Sequence, residues 1–321
     1  MIEIYLLISL LAVWYGAHIV VDHALIVAKE LKVSKLFMGL TILSLGTTLP
    51  EIFTHINASL VEKSGQLASN IALGANIGSN IFETTIMIGI LGLFTTIKSS
   101  KNIQNRDGIV LLSSAILLFL LGIDGVISKV DGIILILTYL IYLFYLYTRE
   151  EKLEDIISRK SKLTHKQFNT FLHHGFLIAV GLFILQIAAE GVIMNTLQLS
   201  EIYGIDQSFI GSIIIGFSSA LPEFTVAIIG LLKKSREISL GVIFGSNITN
   251  PTIAVGIGAL VFDNPISRSL LFFDIPYMFL IVVLLLILFK EDHKFGKKEG
   301  IIMILFYIFY VFYKSKVYGV I

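Results

Sequence analysis

Apolar residues run along this chain in long uninterrupted blocks, not in the alternating or one-faced patterns of a water-soluble fold. A bilayer core takes about 20 apolar residues per helix. Stretches of that order fall at 4–28, 36–61, 67–95, 108–123, 131–148, 170–197, 208–232, 238–262, 268–289 and 299–315. The pattern predicts an all-α, polytopic membrane protein of ten transmembrane helices, the fourth and fifth short, with brief charged or glycine-containing connectors. Taken alternately, the connectors differ sharply in basic residues. One set holds Lys29, Lys32 and Lys35, then Lys98, Lys101 and Arg106, six in 149–166, Lys233, Lys234 and Arg236, and Lys290, Lys294, Lys297 and Lys298, or 19 of the 24 Lys and Arg. The other set holds Lys63, Lys129, Arg268, Lys314 and Lys316. Basic loops stay in the cytoplasm. The expected placement is therefore a multi-pass cell-membrane protein with both termini outside and the central loop, 151–167, inside.

That loop separates two halves of five spans, 1–150 and 168–321. Gly39-Leu-Thr-Ile-Leu-Ser-Leu-Gly-Thr-Thr-Leu-Pro-Glu51 in the first is echoed by Gly211-Ser-Ile-Ile-Ile-Gly-Phe-Ser-Ser-Ala-Leu-Pro-Glu223 in the second, with Leu-Pro-Glu at an offset of 172. Gly78-Ser79-Asn80-Ile81 likewise recurs as Gly245-Ser246-Asn247-Ile248. The motif segments, 39–89 and 211–258, make an internal repeat. An odd number of spans per half inverts one copy relative to the other. Inverted repeats build secondary transporters whose sites lie near mid-membrane.

Composition narrows the class further. Only 15% of the 321 residues are charged and 55% are hydrophobic, against about 25% charged in soluble domains. Mean hydropathy is +0.87. A net charge of +1 leaves no basic excess for a nucleic-acid partner. No cysteine is present, which excludes disulfides and thiolate metal sites. Glu3 is acidic where a cleavable signal would be basic.

Glu51 and Glu223 fall inside apolar spans, where an ionised carboxylate costs a few kcal/mol or more. The proline before each frees a backbone carbonyl about one turn earlier, and a cation can partner it in lipid. Positions i−3, i−4 and i−7 share a helix face: Thr48, Thr47 and Ser44 for Glu51, and Ala220, Ser219 and Gly216 for Glu223. This is an oxygen-only ligand set, suited to hard ions such as Ca²⁺ and Na⁺. Ser79 and Glu83 share a second face, as do Ser246 and Asn250, with Pro251 expected to break that helix. Three carboxylates in one small cavity do not all stay ionised without cations, so Glu83 is expected to carry a proton for part of the cycle. His18 and Glu190 occupy equivalent repeat positions, as access-path or packing residues. His55 extends the Glu51 stripe by one turn. Asp22 and His23 fall near the end of the first span. Asp124-Gly and Asp131-Gly read as turns, and the last two spans as lipid-facing scaffold.

These residues resemble the cation/Ca²⁺ exchanger superfamily. Its repeats carry a G-T/S-S-x-P-E/D core, here Gly46-Thr47-Thr48-Leu49-Pro50-Glu51 and Ser218-Ser219-Ala220-Leu221-Pro222-Glu223, each followed by a G-S-N-type turn. The resemblance spans the chain and is nearest the compact prokaryotic Na⁺/Ca²⁺ exchangers. It implies Na⁺/Ca²⁺ antiport by alternating access, with the first and sixth helices sliding against the rest. The implied ligands are Glu51, Glu223, Thr47, Thr48, Ser79, Ser219 and Ser246, with backbone carbonyls at Ser44 and Gly216. Ala220 replaces a hydroxyl residue, Asn250 stands where relatives often have Asp, and Glu83 where they usually have Asn. The third acid has crossed to the pseudosymmetric position. No cofactor or obligatory protein partner is implied. H⁺/Ca²⁺ exchange is the alternative, favoured by extra carboxylates. A channel fits an inverted repeat less well, and no Ser-His pairing or HExxH motif supports an intramembrane protease.

Overall fold

The computed structural model describes residues 2–65, 68–98, 106–149, 165–202, 217, 219–290 and 294–318. Apolar blocks become helices because hydrocarbon offers backbone N–H and C=O groups no other partner. In chain order these are α1 (Ile2–Glu30), α2 (Lys35–Met38), α3 (Ser44–Thr47), α4 (Leu49–Lys63), α5 (Ser69–Phe82), α6 (Ile88–Phe94), α7 (Gly108–Leu121), α8 (Lys129–Arg149), α9 (His165–Ile202), α10 (Leu221–Leu232), α11 (Arg236–Thr249), α12 (Val255–Val261), α13 (Ile275–Lys290) and α14 (Lys297–Tyr318). Short π-helical segments run through several of them: Gly39–Leu43, Glu83–Met87, Asn250–Ala254 and Leu270–Asp274. Seven helical runs are long and apolar enough to cross a membrane, and α7 and α10 are shorter apolar helices. Each of the ten apolar stretches meets a helix. Residues 203–216 and most of the central loop lie outside the described residues.

Three local expectations are corrected. Pro251 does not break its helix; the chain passes through the π segment Asn250–Ala254 and continues as α12. The equivalent segment Glu83–Met87 is π-helical without a proline, so Pro251 tolerates the wide turn and does not cause it. The G-S-N segments are not turns but lie within α5 and α11. Asp131 is not in a turn either: it caps α8, accepting from the Ser128 backbone N–H at 2.8 Å and hydroxyl at 2.6 Å, as in a capping box. Asp124-Gly125 is a turn, with Gly125 at φ +92°.

Part of the described structure recurs at a single offset. The π segment Glu83–Met87, α6 and β1 (Ile97–Lys98) reappear 167 residues on as Asn250–Ala254, α12 and β3 (Asn264–Pro265). In both π segments a threonine returns its hydroxyl to the carbonyl four residues back, Thr85 to Ile81 and Thr252 to Ile248, each at 2.5 Å. A π turn sends backbone N–H groups to i−5, and the hydroxyl covers the carbonyl that this leaves.

The chain divides into two compact units, and each takes segments from both halves. The first comprises 1–47, 140–207 and 221–245. Its core packs Ala17, Val20, Ala24 and Val27 of α1 with Ile178 and Leu185 of α9, Val226 and Ile229 of α10, and Val242 of α11. Backbones meet where α11 crosses Gly39: a Cβ on Gly241 would lie 2.7 Å from the Leu36 carbonyl oxygen and 2.8 Å from the Gly39 Cα. Gly241→Ala is therefore expected to cost about 1–3 kcal/mol, read as a lowered unfolding temperature of the detergent-solubilised protein. An unchanged temperature would mean the crossing is looser than the distances imply.

The second unit comprises 48–139, 208–220 and 246–321. Two antiparallel ladders tie its connectors: β1 to β4 (Lys294–Phe295), and β2 (Val126–Ile127) to β3. Two glycine contacts repeat the same geometry. A Cβ on Gly300 would meet the Gly89 carbonyl oxygen at 2.6 Å, and one on Gly132 the Gly256 oxygen at 2.7 Å. Asn264 Oδ1 accepts from the Ser59 and Ser69 hydroxyls, both at 2.9 Å. The last two spans are more than lipid-facing scaffold. Buried Asp274 accepts from Tyr310 at 2.6 Å and Lys314 at 2.8 Å, fastening the start of α13 to α14.

Candidate cation-binding site

The site begins with two prolines. Pro50 and Pro222 sit in the first turns of α4 and α10, where the missing N–H costs nothing. Each following glutamate, Glu51 or Glu223, therefore lies in a helix N-terminal turn, where the helix dipole favours negative charge. Both are buried, at 7% and 0% exposure. The N-cap of α4 is Thr48, which is also fully buried.

In the first unit, Ser44 donates to the Leu40 carbonyl at 2.8 Å and Thr47 to the Leu43 carbonyl at 3.1 Å. Such back-bonding is the ordinary state of hydroxyls in membrane helices. It spends the proton along the helix and leaves the lone pairs free to accept. Both side chains are buried, as is Glu223 of the same unit.

The second unit holds a reciprocal brace. Glu83 Oε2 accepts from the Ser246 hydroxyl and, at 2.9 Å, from the Asn247 amide. At the equivalent position in the other half, the Asn250 amide donates to Asn80 Oδ1 at 2.9 Å and approaches Ser79 Oγ at 3.5 Å. The fifth residue after each Gly thus reaches the Ser-Asn pair of the opposite half. Thr84 adds a 2.9 Å bond to Asn247 Oδ1, and Asn76 a 3.3 Å bond to the Asn250 carbonyl. Glu51 belongs to the same unit.

Beside the brace are oxygens that the described residues leave unsatisfied. Thr48 Oγ1, Glu51 Oε2, Asn76 Oδ1, Glu83 Oε1 and Asn250 Oδ1 are buried and have no hydrogen-bond partner among the described residues. A buried polar atom left unpaired costs about 1–3 kcal/mol. All five lie in one unit and are of the oxygen type that hard cations take. His55 Nε2 is likewise unpaired. It is a nitrogen one turn beyond Glu51, with the His55 Cβ against Gly258.

The expected residues fall as follows. Thr48, Glu51, Ser79, Glu83, Ser246 and Asn250 belong to the second unit, as does partly buried Ser219; Ser44, Thr47 and Glu223 belong to the first. Gly216 lies outside the described residues. Glu190 is exposed beside Gln186, and His18 packs edge-on to Trp14 at 5.3 Å. Sequence reasoning missed Asn76, Asn80, Thr84 and Asn247. Asn80 and Asn247 were inside the G-S-N match, but reading it as a turn hid their amides.

The family model described as sodium/calcium exchanger protein matches residues 3–148 and 173–316. Sodium/calcium exchanger MaX1 of Methanosarcina acetivorans is 27% identical, covering 94% of this chain and 95% of its own. Inner membrane protein YrbG of Escherichia coli is 26% identical, covering 93% and 92%. Among solved structures, the sodium-calcium exchanger NCX_Mj soaked with 10 mM Na⁺ and zero Ca²⁺ matches at 26% identity, with a TM-score of 0.81 over 97% of this chain and 99% of that one.

Proposed function

The chain belongs to the sodium/calcium exchanger protein family, and from that premise we propose that it is a secondary active antiporter exchanging Na⁺ for Ca²⁺ across the cell membrane by alternating access. The observation that carries this reading is the set of unsatisfied buried oxygens around Glu51 and Glu83. Neutral oxygens with a few carboxylates, at membrane depth, suit Na⁺ and Ca²⁺ and give softer metals little. The ligands in this reading are Glu51, Glu223, Thr47, Thr48, Ser79, Ser219 and Ser246, with the Ser44 and Gly216 carbonyls. Glu83 and Asn250 each aim one remaining oxygen at the ions.

The architecture that goes with it is ten spans in two inverted five-helix repeats, 1–150 and 168–321, joined by a cytoplasmic loop. Two findings support it. The constant 167-residue offset covers π segment, helix and strand alike. The two ladders also join connectors of the same charge class: β1 and β4 belong to Lys-rich connectors, β2 and β3 to Lys-poor ones. Strands can pair only on the same side of a membrane, so the ladders support the alternation of the connectors, and the basic-loop rule is what puts both termini outside in this reading.

In operation the cation relieves the buried carboxylates. Glu51 and Glu223 serve either ion, so one load must leave before the other is stable, and competition needs no separate gate. Calorimetry should accordingly find Na⁺ weakening Ca²⁺ binding; simultaneous, independent binding of both would contradict a shared site. Glu83 supplies the observation favouring proton-coupled exchange as a second reading. The deciding experiment is ⁴⁵Ca²⁺ uptake into proteoliposomes under an outward Na⁺ gradient or under a pH gradient. Uptake should follow the Na⁺ gradient. Uptake driven by pH alone would make the protein an H⁺/Ca²⁺ exchanger, and uptake needing neither would make it a channel.

A further inference from the structure

Away from the cation site, α1 and α9 bring two imidazoles together. His23 Nδ1 and His174 Nδ1 lie 2.8 Å apart, with ring centroids at 4.9 Å and planes inclined by 35°. The two helices belong to one unit and pack closely: a Cβ on Gly16 would stand 3.0 Å from the Gly181 carbonyl oxygen. Both rings are partly exposed. Around them, His173 packs edge-on to His174 at 5.1 Å, and Asp22 is held by Lys233 at 2.6 Å.

We propose that His23 and His174 form a second metal site, separate from the cargo path, that takes a nitrogen-preferring divalent transition metal and ties α1 to α9. Two nitrogens bound at about 2.1 Å and 90° apart stand about 3 Å from one another, and about 3.4 Å in a tetrahedral site. The observed separation fits the square or octahedral arrangement with a shift of about 0.2 Å. Those geometries and imidazole ligands suit Ni²⁺ and Cu²⁺. Without metal, one Nδ1–H donates to the other Nδ1; on metal binding that proton moves through solvent to Nε2 of the same ring, and both neutral imidazoles offer Nδ1 to the metal. Among the described residues no third His, Asp or Glu completes a cluster, so water fills the remaining positions and the metal exchanges freely. Ca²⁺, which takes six to eight oxygens, has no claim on such a site.

The test is calorimetry of Ni²⁺ with tag-free, full-length protein in detergent containing excess Ca²⁺. One Ni²⁺ should bind per chain and should persist as Ca²⁺ rises. His23→Asn and His174→Asn, which keep polar side chains at half-exposed positions, should each weaken Ni²⁺ binding by at least about tenfold, since even second-shell losses around a metal cost that much. Ca²⁺-dependent thermal stabilisation should be unchanged in both variants. Glu51→Gln should bind Ni²⁺ as the parent does. Absence of Ni²⁺ binding, its displacement by Ca²⁺, its loss in Glu51→Gln, or its retention in both histidine variants would each overturn the proposal.

Discussion

Glu51→Gln and Glu223→Gln are each expected to abolish Ca²⁺ transport while leaving the protein inserted and folded. The amide keeps the shape of the carboxylate and, for Glu51, the position in the first turn of α4. What it removes is the charge that stands against a divalent ion in a site closed to water. Removing one partner from a buried ion pair costs about 3–5 kcal/mol, or at least about a hundredfold in Ca²⁺ affinity. Neutralising a buried carboxylate also lifts its own desolvation cost, so the empty variant should be no less stable than the parent. The measurement is ⁴⁵Ca²⁺ uptake alongside thermal unfolding with and without Ca²⁺. A folded variant with near-normal uptake would remove that glutamate from the site.

The second large effect concerns the brace. Glu83→Asn alone should cut Ca²⁺ transport about tenfold, because charge count helps set affinity in calcium sites. Adding Asn250→Asp should recover most of it. At 250 a carboxylate would meet Ser79 and, once the Asn80 amide turns its NH2 toward it, Asn80, the counterparts of the Ser246 and Asn247 donors that now hold Glu83. Either end of the brace can therefore seat the acid. The double-mutant cycle should give a favourable coupling of about 1–2 kcal/mol, five- to thirtyfold in transport rate at limiting Ca²⁺. Strict additivity would mean that Glu83 acts alone and that the two ends are not equivalent.

What the sequence could tell followed from how each feature is encoded. Spans are written as length and apolarity, so all ten stretches met helices, although α7 spans only Gly108–Leu121. The Pro-Glu motifs carry their chemistry in adjacent residues, and both glutamates proved buried. The brace was not legible, because it joins residues some 165 apart that only the repeat brings opposite one another. Nor were the π segments. A one-residue widening leaves the apolar pattern intact, and Glu83-Thr-Thr and Asn250-Pro-Thr share little beyond the threonine that covers the carbonyl. Glycines at 78 and 245 read as turn residues. At Gly245 the real demand is space, since a Cβ there would lie 2.5 Å from that of Ser44.

The unequal brace also bears on the parity of the central charge. Two identical chains paired head to tail present every motif residue twice, so the acids at equivalent positions must be even in number. This chain has glutamate at both 51 and 223, but glutamate at 83 faces asparagine at 250. An odd total of three requires two halves that differ in sequence, as these do at 83 and 250. Because the two halves of this chain differ in sequence at these positions, the number of central acids can change in single units, which two identical halves could not allow.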